Sequence, residues 1–185
     1  MRTIKEQEKR HAVGFDLMFE KMKEALLGLA WIDQAFGRAW DITRMLGTRR
    51  YVEPCIYCKG NSYETLCPSA DLGNYSFFVL NGATDVDHTY NTMESDFSLV
   101  VWVDLRRCFG GDPNRRDTEN LKLELLEVLR NVAFGSGRHI VVDTVEEDAD
   151  AVWRGWTFEE TDNQYMMQPY AGFRVSGTMY GTMCN

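Results

Sequence analysis

The sequence has no apolar run long enough to cross a membrane. The longest, such as residues 25–32 and 99–103, fall far short of the ~20 residues that a spanning helix needs. The first ten residues are charged and lack the apolar core of a secretory signal. We therefore expect neither a membrane partner nor secretion.

Basic residues are also in short supply. The 185 residues contain 20 Lys and Arg against 28 Asp and Glu, a formal net charge of −8. Proteins that grip nucleic acid neutralise phosphates with a basic surface, so this balance argues against tight nucleic-acid binding. The hydrophobic share of 44% is ordinary for a globular chain, which argues against a disordered or fibrous protein.

Histidine is scarce and scattered. The three histidines, His11, His88 and His139, form no metalloprotease motif, and no nucleophile-elbow motif is present. We therefore expect no enzymatic activity and no cofactor. One alternative stays open, a small cytosolic enzyme whose site forms only in the fold, with His139 or Asp143 in a deep cleft.

The five cysteines are an odd number in a chain large enough to fold without disulfides, so we expect reduced thiols. Cys55, Cys58 and Cys67 have a spacing that could grip zinc, which leaves open a zinc-binding adaptor. A local fourth ligand is missing, and the apolar surroundings favour packing instead. The acidic run at residues 146–150 lacks calcium-loop spacing, and we interpret it as a solvated acidic hairpin.

Apolar periodicity predicts two amphipathic helices and several strands. The first helix starts at Gly14 and ends near residues 28–30 or runs on toward Phe36, and the second is capped by Asp117 or Thr118 and closed by Gly135. Strands are expected at residues 51–57 with Pro54 at an edge or bulge, 75–80 stopped by Asn81-Gly82, 97–105, 139–145 and 173–183.

This order of elements predicts an α+β fold, a mostly antiparallel sheet with two amphipathic helices packed on it. Residues 1–13 are expected to be a flexible or partner-docked arm. Residues 14–185 are expected to form a single domain, with long loops at 58–74, 81–95 and 106–117.

The last of these loops concentrates basic charge. It contains Arg106, Arg107, Arg115 and Arg116 around a Gly-Gly pair, just before the second helix. Such a loop could hold an anion at the helix N-terminus, although it is not a P-loop because no Lys-Ser or Lys-Thr follows the glycines. We favour a role for the four arginines in contacts with acidic groups of a neighbouring subunit.

Several of these segments together resemble a known family. They are the helix leading into AWIDQAFG at residues 30–37, the strand with Pro54-Cys55, the long strand ending in Asp104-Leu105-Arg106, the helix after it, and the closing QPYAGFRV strand at residues 168–175. The chain from residue 14 to 184 resembles the neck and tail-completion proteins of tailed bacteriophages, of the type found in phages and prophages of Bacteroidetes.

This resemblance implies a tail-terminator-like fold and a non-enzymatic structural role in the virion, after synthesis in the bacterial host cytoplasm. Copies would form a ring in the head-to-tail neck, six-fold, or twelve-fold if built on the portal, in contact with adjacent neck, portal or tail proteins. DNA would pass through the ring without specific binding. A net charge of −8 is compatible with that passage, because acidic residues lining the channel would repel phosphates.

Overall fold

The computed structural model describes residues 1–9, 11–110, 117–158 and 166–182. Within these ranges the helices are α1 (Gly14–Leu26), α2 (Leu105–Cys108), α3 (Thr118–Asn131) and α4 (Ala149–Val152). The strands are β1 (Gln34–Arg38), β2 (Trp40–Leu46), β3 (Arg49–Cys58), β4 (Ser62–Thr65), β5 (Tyr75–Asp87), β6 (Thr92–Asp104), β7 (His139–Glu146) and β8 (Tyr170–Thr182). The predicted α+β class is confirmed.

The larger sheet has five strands in the order β1-β5-β6-β8-β7, and every pairing in it is antiparallel except β1 with β5. Its middle strand β6 is buried on both faces from Phe97 onward. Alternate side chains of a strand point to opposite sides, so β6 contributes to two cores. Leu99 and Val101 face one apolar core, whereas Val100 and Trp102 face a second core.

Two helices cover the first core. The inward-facing side chains that pack against the sheet are Phe15, Met18, Phe19, Met22 and Leu26 from α1, and Leu121, Leu125 and Leu129 from α3. The Asp117 side chain caps α3 by accepting a hydrogen bond from the Asn120 backbone N–H at 3.4 Å. Both helices are therefore confirmed, although α1 ends at Leu26 and α3 ends at Asn131, before the glycine expected to close it.

A small antiparallel sheet, β2-β3-β4, lies against the second core on the opposite side of the large sheet. Pro54 lies in the middle strand of this sheet and its pairing with Asp41 is regular, so the predicted edge or bulge position is wrong. The pairing of β3 with β4 ends at Cys55, and the Pro54 carbonyl accepts a hydrogen bond from Leu66 just past β4. The N and C=O of one strand residue point to the same side, so the missing N–H of Pro54 faces the end of β4 and its pairing with Asp41 of β2 is kept.

The N-terminal segment is docked on the body of its own chain, so the expected flexible or partner-docked arm is wrong for residues 1–9. Ile4 is buried, and the Gln7 N–H donates to the Tyr57 carbonyl at 2.9 Å. The Glu6 carboxylate accepts from the Gly37 N–H at 3.1 Å and pairs with Lys23 at 3.3 Å. These residues extend the small sheet beside the end of β3, where β2 no longer pairs with it.

All three predicted loops contain regular structure among their described residues. Residues 81–95 are mostly strand, because β5 and β6 continue as a ladder to Asp87 and Thr92. The Asn81-Gly82 pair expected to stop β5 forms an irregularity instead, with Gly82 at φ +70° where the register shifts. Residues 58–74 contain β4 and a 3-10 turn at Ala70–Leu72. In the third interval, α2 ends at Cys108, and residues 111–116 lie outside the described residues.

Candidate functional site

Arg106, one of the four predicted interface arginines, is paired within its own chain at the end of β6. The Asp104 carboxylate caps α2 by accepting the Arg106 backbone N–H at 3.1 Å. It also accepts two bonds from the Arg106 guanidinium, from Nε at 2.9 Å and Nη2 at 2.7 Å. The guanidinium lies 5.4 Å from the centre of the Tyr170 ring. A bidentate pair with a neighbouring aromatic ring positions this side chain against the sheet.

Arg107 is held in the same manner by a different carboxylate. Its Nε and Nη2 donate to the two oxygens of Asp33 at 3.1 and 3.0 Å. Arg106 and Arg107 therefore have an intramolecular role that the sequence did not indicate, and their contact with a neighbouring subunit stays a prediction. Arg115 and Arg116 lie outside the described residues.

The Asp104 pair predicts a pH-dependent contribution to stability. Burial by itself would raise the pKa of Asp104, but the hydrogen bonds and charge of Arg106 outweigh burial and lower the pKa below its ordinary 3.8. The pair therefore stabilises the fold above about pH 4 and loses this effect as the pH falls through the lowered pKa. We expect Asp104→Asn to lower the free energy of unfolding at pH 7 by about 1 kcal/mol or less, because the Arg106 guanidinium is 49% exposed and water screens the pair.

Denaturant unfolding of both proteins at pH 7, 5 and 3 measures this effect. The difference between wild type and Asp104→Asn should be full at pH 7 and 5 and should shrink at pH 3, which lies below the ordinary pKa of 3.8 that the carboxyl has in the unfolded chain. A difference that is the same at all three pH values would show that the charge of Asp104 contributes nothing.

Asn74 joins the two arginine pairs at the centre of this polar cluster, and the sequence analysis missed it. Its side-chain Nδ2 donates to the Trp31 carbonyl at 2.8 Å, and its Oδ1 accepts from the Asp104 N–H at 2.7 Å. Its backbone N–H donates to Asp33 Oδ2 at 2.8 Å. Asn74 is 1% exposed. One buried amide thus ties the segments before β1 and β5 to the end of β6.

The thiol beside this cluster is not activated. Burial raises the pKa of Cys108 to about 11, and Asn74 Nδ2 lies 3.3 Å from its sulfur. A thiol reacts as the thiolate, so a raised pKa makes Cys108 a poor nucleophile at neutral pH. The cluster therefore has the properties of a structural clamp.

The candidate zinc ligands do not converge on one point. Cys55 and Cys58 are three residues apart in β3, so their side chains point to opposite faces of the strand. Cys58 donates to the Ile56 carbonyl at 3.6 Å, and burial raises the pKa of both thiols. In the part of the chain that the structure describes, no three His, Cys, Asp or Glu side chains are grouped to hold a metal ion.

The residues named for an enzyme site are also on the surface. His139 and Asp143 are both exposed on the edge strand β7, and the His139 ring stacks on Tyr180 with 4.7 Å between ring centres. His139 lines an open pocket of about 500 Å³, and Asp143 lines a separate open pocket of about 530 Å³. Among the helices in the described ranges, none is both long and apolar enough to cross a bilayer.

A basic hairpin tip extends from the small sheet. We define the β2–β3 tip as residues 44–50, which contain Arg44, Arg49 and Arg50, the exposed apolar side chains Met45 and Leu46, and no acidic residue. The strands are joined by Gly47-Thr48, with Gly47 at φ +62°, as a two-residue hairpin turn requires. Thr157 forms two hydrogen bonds with Val52: its N–H donates to the Val52 carbonyl at 2.9 Å, and its Oγ1 accepts from the Val52 N–H at 2.8 Å. From Val52 toward the turn, the ribbon consists only of β2 and β3 within the described residues.

An acidic tip ends the longest hairpin of the large sheet. We define the β5–β6 tip as residues 85–94, which carry Asp85, Asp87 and Glu94 and no Lys or Arg. Val86 and Tyr90 are exposed on it, at 47% and 76%. The Asp87 carboxylate shapes the turn by accepting the N–H groups of Thr89 and Tyr90 at 2.8 and 3.2 Å. The charge and the apolar residues of both tips can be read from the sequence. That these apolar side chains are exposed to solvent can be seen only in the structure.

The sequence matches no protein-family model, and its comparison with curated proteins gives no significant match.

Proposed function

We propose that this chain is a non-enzymatic structural protein of a tailed-bacteriophage virion, and that its copies form a ring in the head-to-tail neck around the DNA channel, as a tail terminator or head-tail connector. One observation carries the proposal: two hairpin tips of opposite charge, each with exposed apolar side chains, extend from one α+β body. The resemblance of residues 14–184 to neck and tail-completion proteins supports the same role.

Both tips have the character of contact surfaces. A two-stranded ribbon is at best marginally stable alone in water, and large apolar side chains on it lower the free energy when a partner covers them. Met45 and Leu46 are 64% and 60% exposed on the β2–β3 tip. The basic tip of one copy is attracted to acidic surface on another copy, since the chain carries 28 Asp and Glu against 20 Lys and Arg. Head-to-tail contacts of this kind close into a ring when the rotation between copies is suitable.

The acidic tip suits the channel side of such a ring. Asp85, Asp87 and Glu94 repeat in every copy, so a ring that turns this tip inward would present a circle of negative charge to the DNA. Like charge keeps the phosphate backbone from adhering to the wall while it moves. The virion role therefore needs no specific contact with DNA.

Native mass spectrometry of the full chain tests the proposal. We expect a closed oligomer of six copies, or twelve if the ring matches the portal, and annular particles in negative-stain images. We also expect no retention of double-stranded DNA at physiological salt, because net charge opposes it. A chain that stays monomeric up to high micromolar concentration, or an open-ended series of oligomers without a closed state, would overturn the proposal.

A further inference from the structure

An open groove runs between α1 and α3 on the outer side of the helix layer. It has a volume of about 840 Å³ and an apolar floor formed by Ala25, Leu29, Val128 and Val132. Three carboxylates stand along its rim, those of Glu24, Glu124 and Glu127. The only cation among its lining residues is Lys21, whose Nζ donates to the Ala133 carbonyl at 2.9 Å. The groove is therefore apolar at its floor and negative at its rim.

The β2–β3 tip has the complementary composition. Its apolar pair, Met45 and Leu46, stands among three arginines, of which Arg44 already pairs with Glu53 of β3 at 3.3 Å. Arg49 and Arg50 give the end of the tip its positive formal charge. Burying Met45 and Leu46 on an apolar floor stabilises the contact by removing apolar surface from water. Arg49 and Arg50 at the same time supply guanidinium groups, which bind carboxylates well.

We infer that the β2–β3 tip of one copy docks in the groove between α1 and α3 of the next copy. This inference rests on the proposed ring and names the surfaces that join its subunits. The acidic β5–β6 tip is unsuited to the same groove, because its carboxylates would face Glu24 and Glu127.

The fold places the two surfaces as a head-to-tail contact needs. The groove is on the helix side of the large sheet, whereas β3 packs against the core on the other side. Because the tip and the groove lie on opposite sides of the large sheet, each copy can use both surfaces at once, with a different neighbour at each. This arrangement is heterologous and repeats from copy to copy.

Charge reversal on each surface tests the contact. The variant Arg49→Glu/Arg50→Glu has an acidic tip and an acidic groove, and Glu24→Lys/Glu127→Lys has a basic tip and a more basic groove. We expect each variant alone to associate about a hundredfold more weakly than wild type, because like charges then meet at every contact. Mixed in equal amounts, the two should assemble again, with the copies alternating around the ring.

Native mass spectrometry of wild type, each variant and the mixture reads out the result, with circular dichroism to show that each variant is folded. Asp148→Lys/Asp150→Lys is a matched control, since it reverses two exposed carboxylates away from both surfaces and should still assemble. Rings that persist in both single variants, or a mixture that does not assemble, would overturn this contact and leave the ring proposal standing. A wild type that forms no ring would overturn the proposed function itself.

Discussion

Gly177→Ala is expected to lower the free energy of unfolding by about 3 kcal/mol, since added volume that meets rigid backbone is destabilising. A Cβ at this position would lie 2.0 Å from the Val141 carbonyl oxygen. The close approach comes from an irregularity in the β7–β8 ladder, where Val142 pairs with Gly177 but Thr144 pairs with the next position, so that Asp143 is an extra residue. A bulge of this kind brings two backbones together and leaves room only for glycine.

Gly181→Ala is the matched control on the same strand. Its added Cβ would meet the flexible end of the Met93 side chain at 3.0 Å, which can move aside, so we expect a cost of about 1 kcal/mol or less. Urea unfolding of both variants measures the difference, and amide exchange should show that β7 loses protection first in Gly177→Ala. Equal stabilities of the two variants would contradict the backbone clash.

Asn74→Ala is expected to lower the free energy of unfolding by about 3 kcal/mol. The substitution removes the acceptor of the Asp104 N–H and the donor to the Trp31 carbonyl. Both backbone groups then stay buried without these partners, and each unsatisfied buried group costs about 1–3 kcal/mol. The substitution also removes the contact that the Asn74 amide makes with the Cys108 thiol.

The exposed Asn120 provides the control for this prediction. Asn120→Ala removes a 2.7 Å bond to Asp117 that lies at the surface, so we expect a change of about 0.5 kcal/mol or less. A second readout is the rate at which a thiol reagent modifies Cys108, followed by peptide mass spectrometry. This rate should rise in Asn74→Ala and stay unchanged in Asn120→Ala. A buried cluster that tolerates the loss of Asn74 without either change would show that it is not a clamp.

Local periodicity was enough to predict the two long helices, α1 and α3, and the principal strands of the large sheet. The α1 and α3 rows recur at helical spacing, and the alternation from Phe173 onward predicts β8 with the correct inward face. The periodicity did not show where elements end. The glycine at position 82 reads as a stop, yet β5 continues to Asp87 because β6 is present as a partner for it.

The candidate site depended on pairings that no local pattern contains. From the sequence, Arg106 and Arg107 were expected to belong to an exposed basic loop. In the structure Arg106 is bound by Asp104 at the end of β6, and Arg107 is bound by Asp33, about 70 residues away in the chain. The spacing of Cys55 and Cys58 suggested a pair of metal ligands. In the structure both lie in the extended strand β3, so their thiols point to opposite faces. In both cases partners distant in sequence, or the backbone conformation, decided what the side chains do.

The amino-acid sequence by itself determined the class of the fold, the two helical faces and the acidic balance of the chain, because these depend on composition and on spacings of a few residues. Only the tertiary structure decided that residues 1–9 dock on their own chain, that the two tips extend with opposite charge, and that a groove opens between α1 and α3. The physical reason is that burial and exposure depend on contacts between segments far apart in sequence, and a local pattern carries no information about which distant segment arrives to cover it.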